Sequence, residues 1–360
     1  MRAGRVLILV LLPWLAAPVH AQGVGRSDDA YHYALFADGQ YDANYVEWWY
    51  FNLFDQAKGL QLALTYSILD PDNISGFGMA AVSAIVFTPN GQFTEIGSRP
   101  ASAFHASTAQ ADVLIAGSSD AVGFVQVLSD DAYRVVGSIN AGHQISWNLL
   151  YVRQGASWKG VDRERVGLFP WENMSWLQYM PGASVSGVVV VDGQRYTLAN
   201  TRGYHDHNWG EWIPFTVTWN WAQYFEQGLD FSIGDFRNSP AGTVSVSVQG
   251  QRTAFTKDEY TLSHSDWTYD AVHGLFFPMT TWLYAQRDDT VLMVRIRAHR
   301  TLPVVPPPQL PLPLVPVIYE QTATFTGWIW RRDAAGGWSA VRSFAGPGFK
   351  EYTGVTVARP

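Results

Sequence analysis

A chain of 360 residues with a formal net charge of −7 and only 15% charged residues lacks the clustered Lys and Arg on which nucleic-acid binders depend. It contains no cysteine, which excludes disulfides, thiol catalysis and Cys-ligated metal sites and leaves packing as the source of stability. Aromatic residues make up 14% of the chain, 16 tryptophans among them, so rings must fill a core or line a pocket.

The first stretch places Arg2 and Arg5 ahead of an apolar run from Val6 through Leu12 to Ala17, and Val19-His20-Ala21 follows with the small residues a signal peptidase reads. Residues 1–21 are expected to be a cleaved secretory signal, and the protein to be periplasmic or secreted. The run is shorter than the roughly 20 residues of a membrane span, and Pro13 interrupts it. Without this signal the chain is two positive charges more acidic.

Short strands bounded by turn signals follow. In Tyr45-Val-Glu47-Trp48-Trp49-Tyr50-Phe51-Asn52, a strand puts Glu47, Trp49 and Phe51 on one face and Trp48, Tyr50 and Asn52 on the other. Phe87 to Phe93 reads as a hairpin around Asn90-Gly91, and Ser186 to Leu198 as another around Asp192-Gly193, since Asp-Gly tolerates the positive φ of a tight turn. The densest stretch is Arg202-Gly-Tyr-His-Asp-His-Asn-Trp-Gly-Glu-Trp212. As a strand it sets His205, His207 and Trp209 on one face against Tyr204, Asp206 and Asn208 on the other. Thr243 to Val248 alternates hydroxyl and apolar residues, as a strand with one buried face does. The Pro-rich run 301–316 is expected to be a long extended loop, because proline lacks the donor that a central strand needs.

Helical periodicity with caps is absent, so the chain is expected to be all-β, built as barrels or sandwiches. A weak internal echo bears on its organisation. Trp49 to Leu62 and Trp221 to Phe231 share aromatic, acid, Gln, Gly and Leu in the same order after a two-residue deletion. Duplication of one β unit accounts for this, with domains expected over 22–211 and 212–360.

His205-x-His207 could begin a metal site, but no further His lies nearby in sequence, and hydrogen bonding inside a pocket wall is the preferred reading, with neither metal nor cofactor. No G-x-S-x-G elbow supports serine hydrolysis. A carboxyl buried among rings has another use: desolvation keeps it protonated, and indole faces stabilise a developing cation. That pair suits hydration or cyclisation of an alkene, with Glu47, Asp206, Glu211, Asp230 and Asp235 as candidate acids.

Val46-Glu-Trp-Trp-Tyr-Phe51 and Gly203-Tyr-His-Asp-His-Asn-Trp-Gly210 resemble the two signatures of the AttH-like and hydroxyneurosporene synthase (carotenoid 1,2-hydratase) family, to which kievitone hydratase and fungal Diels–Alderases look related. The resemblance covers nearly the whole chain after the signal. It implies two lipocalin-like antiparallel β-barrels side by side, with a substrate cavity near their junction. It also implies His207 and Trp209 as functional residues, with Asp235 of Ile233-Gly-Asp235 as the matching acid, where an Ile stands in place of an expected Tyr. The resulting expectation is a cofactor-free hydratase or cyclase of an apolar isoprenoid or polyketide-like molecule, placed near a membrane surface. Asp206, His207, Trp209 and Asp235 would be its catalytic residues, and Glu47, Trp49, Tyr50, Tyr204, His205, Asn208 and Trp221 would bind the substrate. Two alternatives stand beside it: a carrier without chemistry, and a Diels–Alderase-type pericyclase.

Overall fold

The computed structural model describes residues 24–117, 121–213, 216–305 and 314–357. The expected signal at 1–21 lies outside them. Strands dominate, joined by tight turns, and the few helical pieces are 3-10 turns of three or four residues. Among the described residues no helix is long and apolar enough to cross a membrane.

The strands form two antiparallel sheets. The first runs in space from Gly91–Pro100 through Met79–Thr88, Leu60–Leu69, Tyr45–Asp55, Gln194–Glu211, Asn173–Val191, Gln144–Arg153, Ala132–Asn140 and Ala121–Ser129 to the short Val113–Ile115 and Phe104–Ala106. It curls until its early strands approach Ala121–Asn140, nearly closing a barrel. The second runs from Gln251–Thr256 through Gly242–Val248, Leu229–Phe236, Trp219–Glu226, Trp338–Val357, Leu314–Arg332, Thr290–Val304 and Leu275–Arg287 to Tyr260–Asp270. In each sheet the first long strand lies beside the last, so Tyr45–Asp55 and Trp219–Glu226 hold the same place in one topology.

Both expected hairpins form. Asp192 and Gly193 have φ of 47° and 81°, the left-handed pair that lets Val191 face Gln194. Thr88 likewise faces Gly91. Two expectations are corrected. The Pro-rich run is strand at both ends: Thr301–Val304 continues Thr290–Val304, with Pro303 opposite Tyr319, and Pro316 pairs with Val355. Proline is tolerated because each end has a single neighbour there, the pairing with Leu275–Arg287 having stopped at Arg297. Second, Thr243–Val248 is buried on both faces. Val244 and Val246 enter the second core, while the hydroxyl face is covered where Trp158–Arg165 of the first sheet packs on it.

Each sheet wraps its own apolar core. A third cluster lies between the sheets and includes Tyr50, Trp176, Tyr204, Trp212, Trp221, Phe236 and Phe349.

Candidate functional site

The strand Gln194–Glu211 pairs with Tyr45–Asp55 in a register that sets Trp49 opposite His207 and Tyr50 opposite Asp206. Alternation then separates the two motifs into an inner and an outer face, as expected from sequence.

The inner face holds His205, His207, Trp209, Glu47 and Trp49 inside the first barrel, where a turn from the N-terminal segment meets them. His207 is fully buried, with Nε2 2.8 Å from Glu47 Oε1 and Nδ1 3.2 Å from Asp29 Oδ1. His205 Nε2 lies 3.0 Å from Asp29 Oδ2, and its Nδ1 lies 2.9 Å from the Tyr50 carbonyl. Tyr133 donates to Asp29 at 2.8 Å, while Glu47 accepts from Tyr45 and from the His32 backbone N–H. Rings sandwich the ionic groups: His207 stacks on Trp49 at 4.4 Å, His205 on Phe51 at 4.0 Å and His32 on Trp209 at 3.9 Å.

Burial alone would raise the carboxyl pKa values here. Hydrogen bonds and charge from His205 and His207 instead carry Asp29 well below the ordinary range, and His207 and His32 do the same, less strongly, for Glu47. Burial opposes the charging of His207, but Asp29 and Glu47 raise it overall. This is a closed network of buried ion pairs. The donors of His32, Glu47 and His207 also lie within 4.8 Å of one another, a His₂Glu set that could hold a metal, with Asp29 behind His207. In the structure those donors already satisfy one another.

The outer face meets the second sheet around a cavity of about 290 Å³. Trp48, Trp176, Trp212, Trp219 and Trp221 line it with Tyr50, Asn208 and the carboxyl groups of Asp206, Asp235, Glu320 and Glu351. Of the residues expected at the site, His205, His207, Trp209, Glu47 and Trp49 close on each other inside the barrel, and the opposite face lines the cavity.

Asp206 Oδ2 accepts from Trp176 Nε1 and Tyr204 Oη, both at 2.8 Å, and Oδ1 accepts from Asn208 at 3.1 Å. Burial outweighs these donors and lifts Asp206 to about 6. Glu320 and Glu351 face each other across adjacent strands and share a hydrogen bond. Trp219 Nε1 donates to Glu351 at 2.7 Å, while Glu320 Oε2 is buried without a partner. Burial raises Glu351 to about 7, and burial with the adjoining Glu351 pushes Glu320 well above its ordinary value. Asp235 also lines the cavity, its carboxylate held within the second sheet by Lys257, Tyr260 and Asn220. Asp230 pairs with Arg252 at 2.8 Å, and Glu211 sits beside Asp38 and Asp42.

Sequence reasoning passed over Glu320 and Glu351, although the internal echo held a signal for Glu351. Counted back from the shared turn, Tyr50 corresponds to Trp221, and their rings meet at 5.3 Å. Their cross-strand partners are Asp206 and Glu351, so the two halves present acids from equivalent positions. Nothing local in sequence marks Glu320.

The fold is the lipocalin-like, AttH-like one that the two motifs imply. A Nitrosomonas europaea protein assigned to AttH is similar over 98% of this chain and 100% of its own, with a TM-score of 0.66 at 14% identity. Kievitone hydratase from Nectria haematococca is similar over 94% of this chain and 96% of its own, with a TM-score of 0.59 at 13% identity. CghA is similar over 88% and 90%, with a TM-score of 0.55 at 12% identity. No family model and no curated protein sequence matches the chain.

Proposed function

We propose that the protein is an exported hydratase or cyclase that encloses an apolar small molecule between its two sheets and protonates an alkene of it without a cofactor. One observation carries this reading: a cavity walled by five tryptophans contains carboxyl groups that burial keeps partly or wholly protonated near neutral pH. Glu320 is the proton donor, because its free oxygen is buried at the cavity and its proton is retained beside Glu351. Protonation of the alkene leaves a carbocation, which the indole faces and the Asp206 carboxylate stabilise. Water then adds and loses its proton to the Glu320 carboxylate, or a second double bond closes a ring and the new cation loses a neighbouring proton to that carboxylate. Asp206, ringed by three donors, acts as the anionic partner. His205, His207, Trp209, Glu47 and Trp49 hold the strand pair that presents it. The similarity in fold to kievitone hydratase supports a hydratase among the alternatives.

The test is incubation of the purified protein with lipid extract of its host in ¹⁸O-labelled water, followed by mass spectrometry. A labelled product that disappears with Glu320→Gln is the expected result. A retained, unaltered compound would point to a carrier, and an unlabelled isomer formed equally well by Glu320→Gln to a pericyclase.

A further inference from the structure

We propose that the ligand of this cavity carries positive charge of its own: an apolar amine or quaternary ammonium compound, seated with its nitrogen among Asp206, Glu320 and Glu351. The inference deepens the proposed function and rests on the same enclosure of a ligand between the sheets.

Four carboxyl groups line the cavity, and only Asp235 has a cationic partner, Lys257. Among the described residues no Lys, Arg or His belongs to the lining. Elsewhere some buried acids meet cations, Asp29 and Glu47 histidines and Asp230 Arg252, and others, such as Asp70 and Glu172, are met by backbone N–H and hydroxyl donors. Here three acids are gathered without a cation. Buried carboxyl groups with neither a counter-charge nor enough donors must hold protons or receive a cation from outside. Glu320 is only 3% exposed, no donor reaches its Oε2, and the hydrogen bond it makes is to the other acid, Glu351.

The wall also carries the indoles of five tryptophans and the phenol of Tyr50, a surface that attracts organic cations through its quadrupole. An alcohol would satisfy the free oxygen but makes no use of three acids, and a carboxylate ligand would be repelled. An ammonium head answers both features, with its apolar body against Ile68, Met79, Ile85 and Met174. Charge balances on binding, because the cation enters as Glu351 gives up its proton to solvent, while Glu320 keeps the proton it delivers.

The decisive experiment titrates the full protein with decyltrimethylammonium, decanol and decanoate, following tryptophan fluorescence, with calorimetry of the first in two buffers of different ionisation enthalpy. The quaternary nitrogen does not titrate, so any pH dependence belongs to the protein. Decyltrimethylammonium is expected to bind about tenfold tighter than decanol near pH 8, a difference typical of one desolvated cation–π and ion-pair site. This advantage should vanish near pH 5, with proton release between, and decanoate should bind weakest. Glu320→Gln and Glu351→Gln should each reduce the preference for the cation. Decanol binding as tightly as the cation near pH 8, or a cation advantage independent of pH, overturns this inference and leaves the enclosure standing. If none of the three probes binds, both fall. The comparison of ligands on the unaltered protein decides even if a variant fails to fold.

Discussion

Asp206 and His207 are adjacent in the chain yet belong to different machinery, because successive strand residues point to opposite faces. His207 sits between two buried carboxylates, so His207→Ala leaves Asp29 and Glu47 without it. Breaking a buried pair from one side costs about 3–5 kcal/mol. Urea unfolding should register a loss of that size, with decanol affinity of the folded protein unchanged. The pH dependence of stability divides the same way. Asp29 and Glu47 have folded pKa values below their unfolded ones, so their contribution is present above the unfolded value of about 4 and is lost as pH falls through the folded values. Glu351 is the reverse case: raised to about 7, it holds its proton in the folded protein after the unfolded chain has released it. Its effect is full below about pH 4 and lost as pH rises toward 7. Thermal melts of wild type and Glu351→Gln between pH 4.5 and 7.5 should show the wild-type midpoint falling more steeply with pH. Parallel curves would contradict the buried, protonated pair.

At the level of elements, the N-terminal segment and two glycines show how the strands are held. Trp49 Nε1 donates to the Asp29 carbonyl at 2.9 Å, and the Asp29 side chain reaches His205 and His207, so the turn Arg26–Asp29 is keyed into the barrel by charge. Gly193 has open space around it and a φ of 81°, so Gly193→Ala meets only backbone strain. It should cost about 1 kcal/mol in urea unfolding and leave ligand binding unchanged. Gly234 is different: a Cβ there would lie 2.3 Å from Trp176, whose indole crosses from the first sheet to the second. Overpacking of this kind costs roughly 1–3 kcal/mol. Because Trp176 also donates to Asp206, Gly234→Ala should weaken decanol binding as well as stability, whereas Gly193→Ala affects stability alone.

For the whole molecule, the cavity takes its walls from both sheets: Tyr50, Trp176 and Asp206 from the first, Trp221, Glu320 and Glu351 from the second. A ligand therefore couples them. Saturation at about 100 times Kd adds about 2.7 kcal/mol to the stability of the state that binds. Hydrogen exchange with bound decanol should slow amides in both Tyr45–Asp55 and Trp338–Val357; protection confined to one sheet would place the ligand inside a single barrel. The shared topology also explains why two acids at corresponding positions, Asp206 and Glu351, arrive at one cavity.

Much of this was legible in the chain itself. Period-two alternation and Asp-Gly turn chemistry are local, so the all-β class, both hairpins and the division of Tyr204 to Trp209 into two faces follow from residue order. The gathering of acids among indoles was visible as composition, and the echo of Tyr45–Asp55 in Trp219–Glu226 has its counterpart in the matching sheet topologies. Which face turns inward was not legible, because alternation is symmetric and both faces here mix rings with ionisable groups. That choice belonged to distant partners: Asp29 draws His205 and His207 into the barrel, and the second sheet covers Tyr204, Asp206 and Asn208. The strand ends of the Pro-rich run depended on how many neighbours each has, which no local pattern records. Glu320 and Glu351 reached the cavity only because register sets them opposite each other and packing removes them from water, and long-range pairing alone determines both.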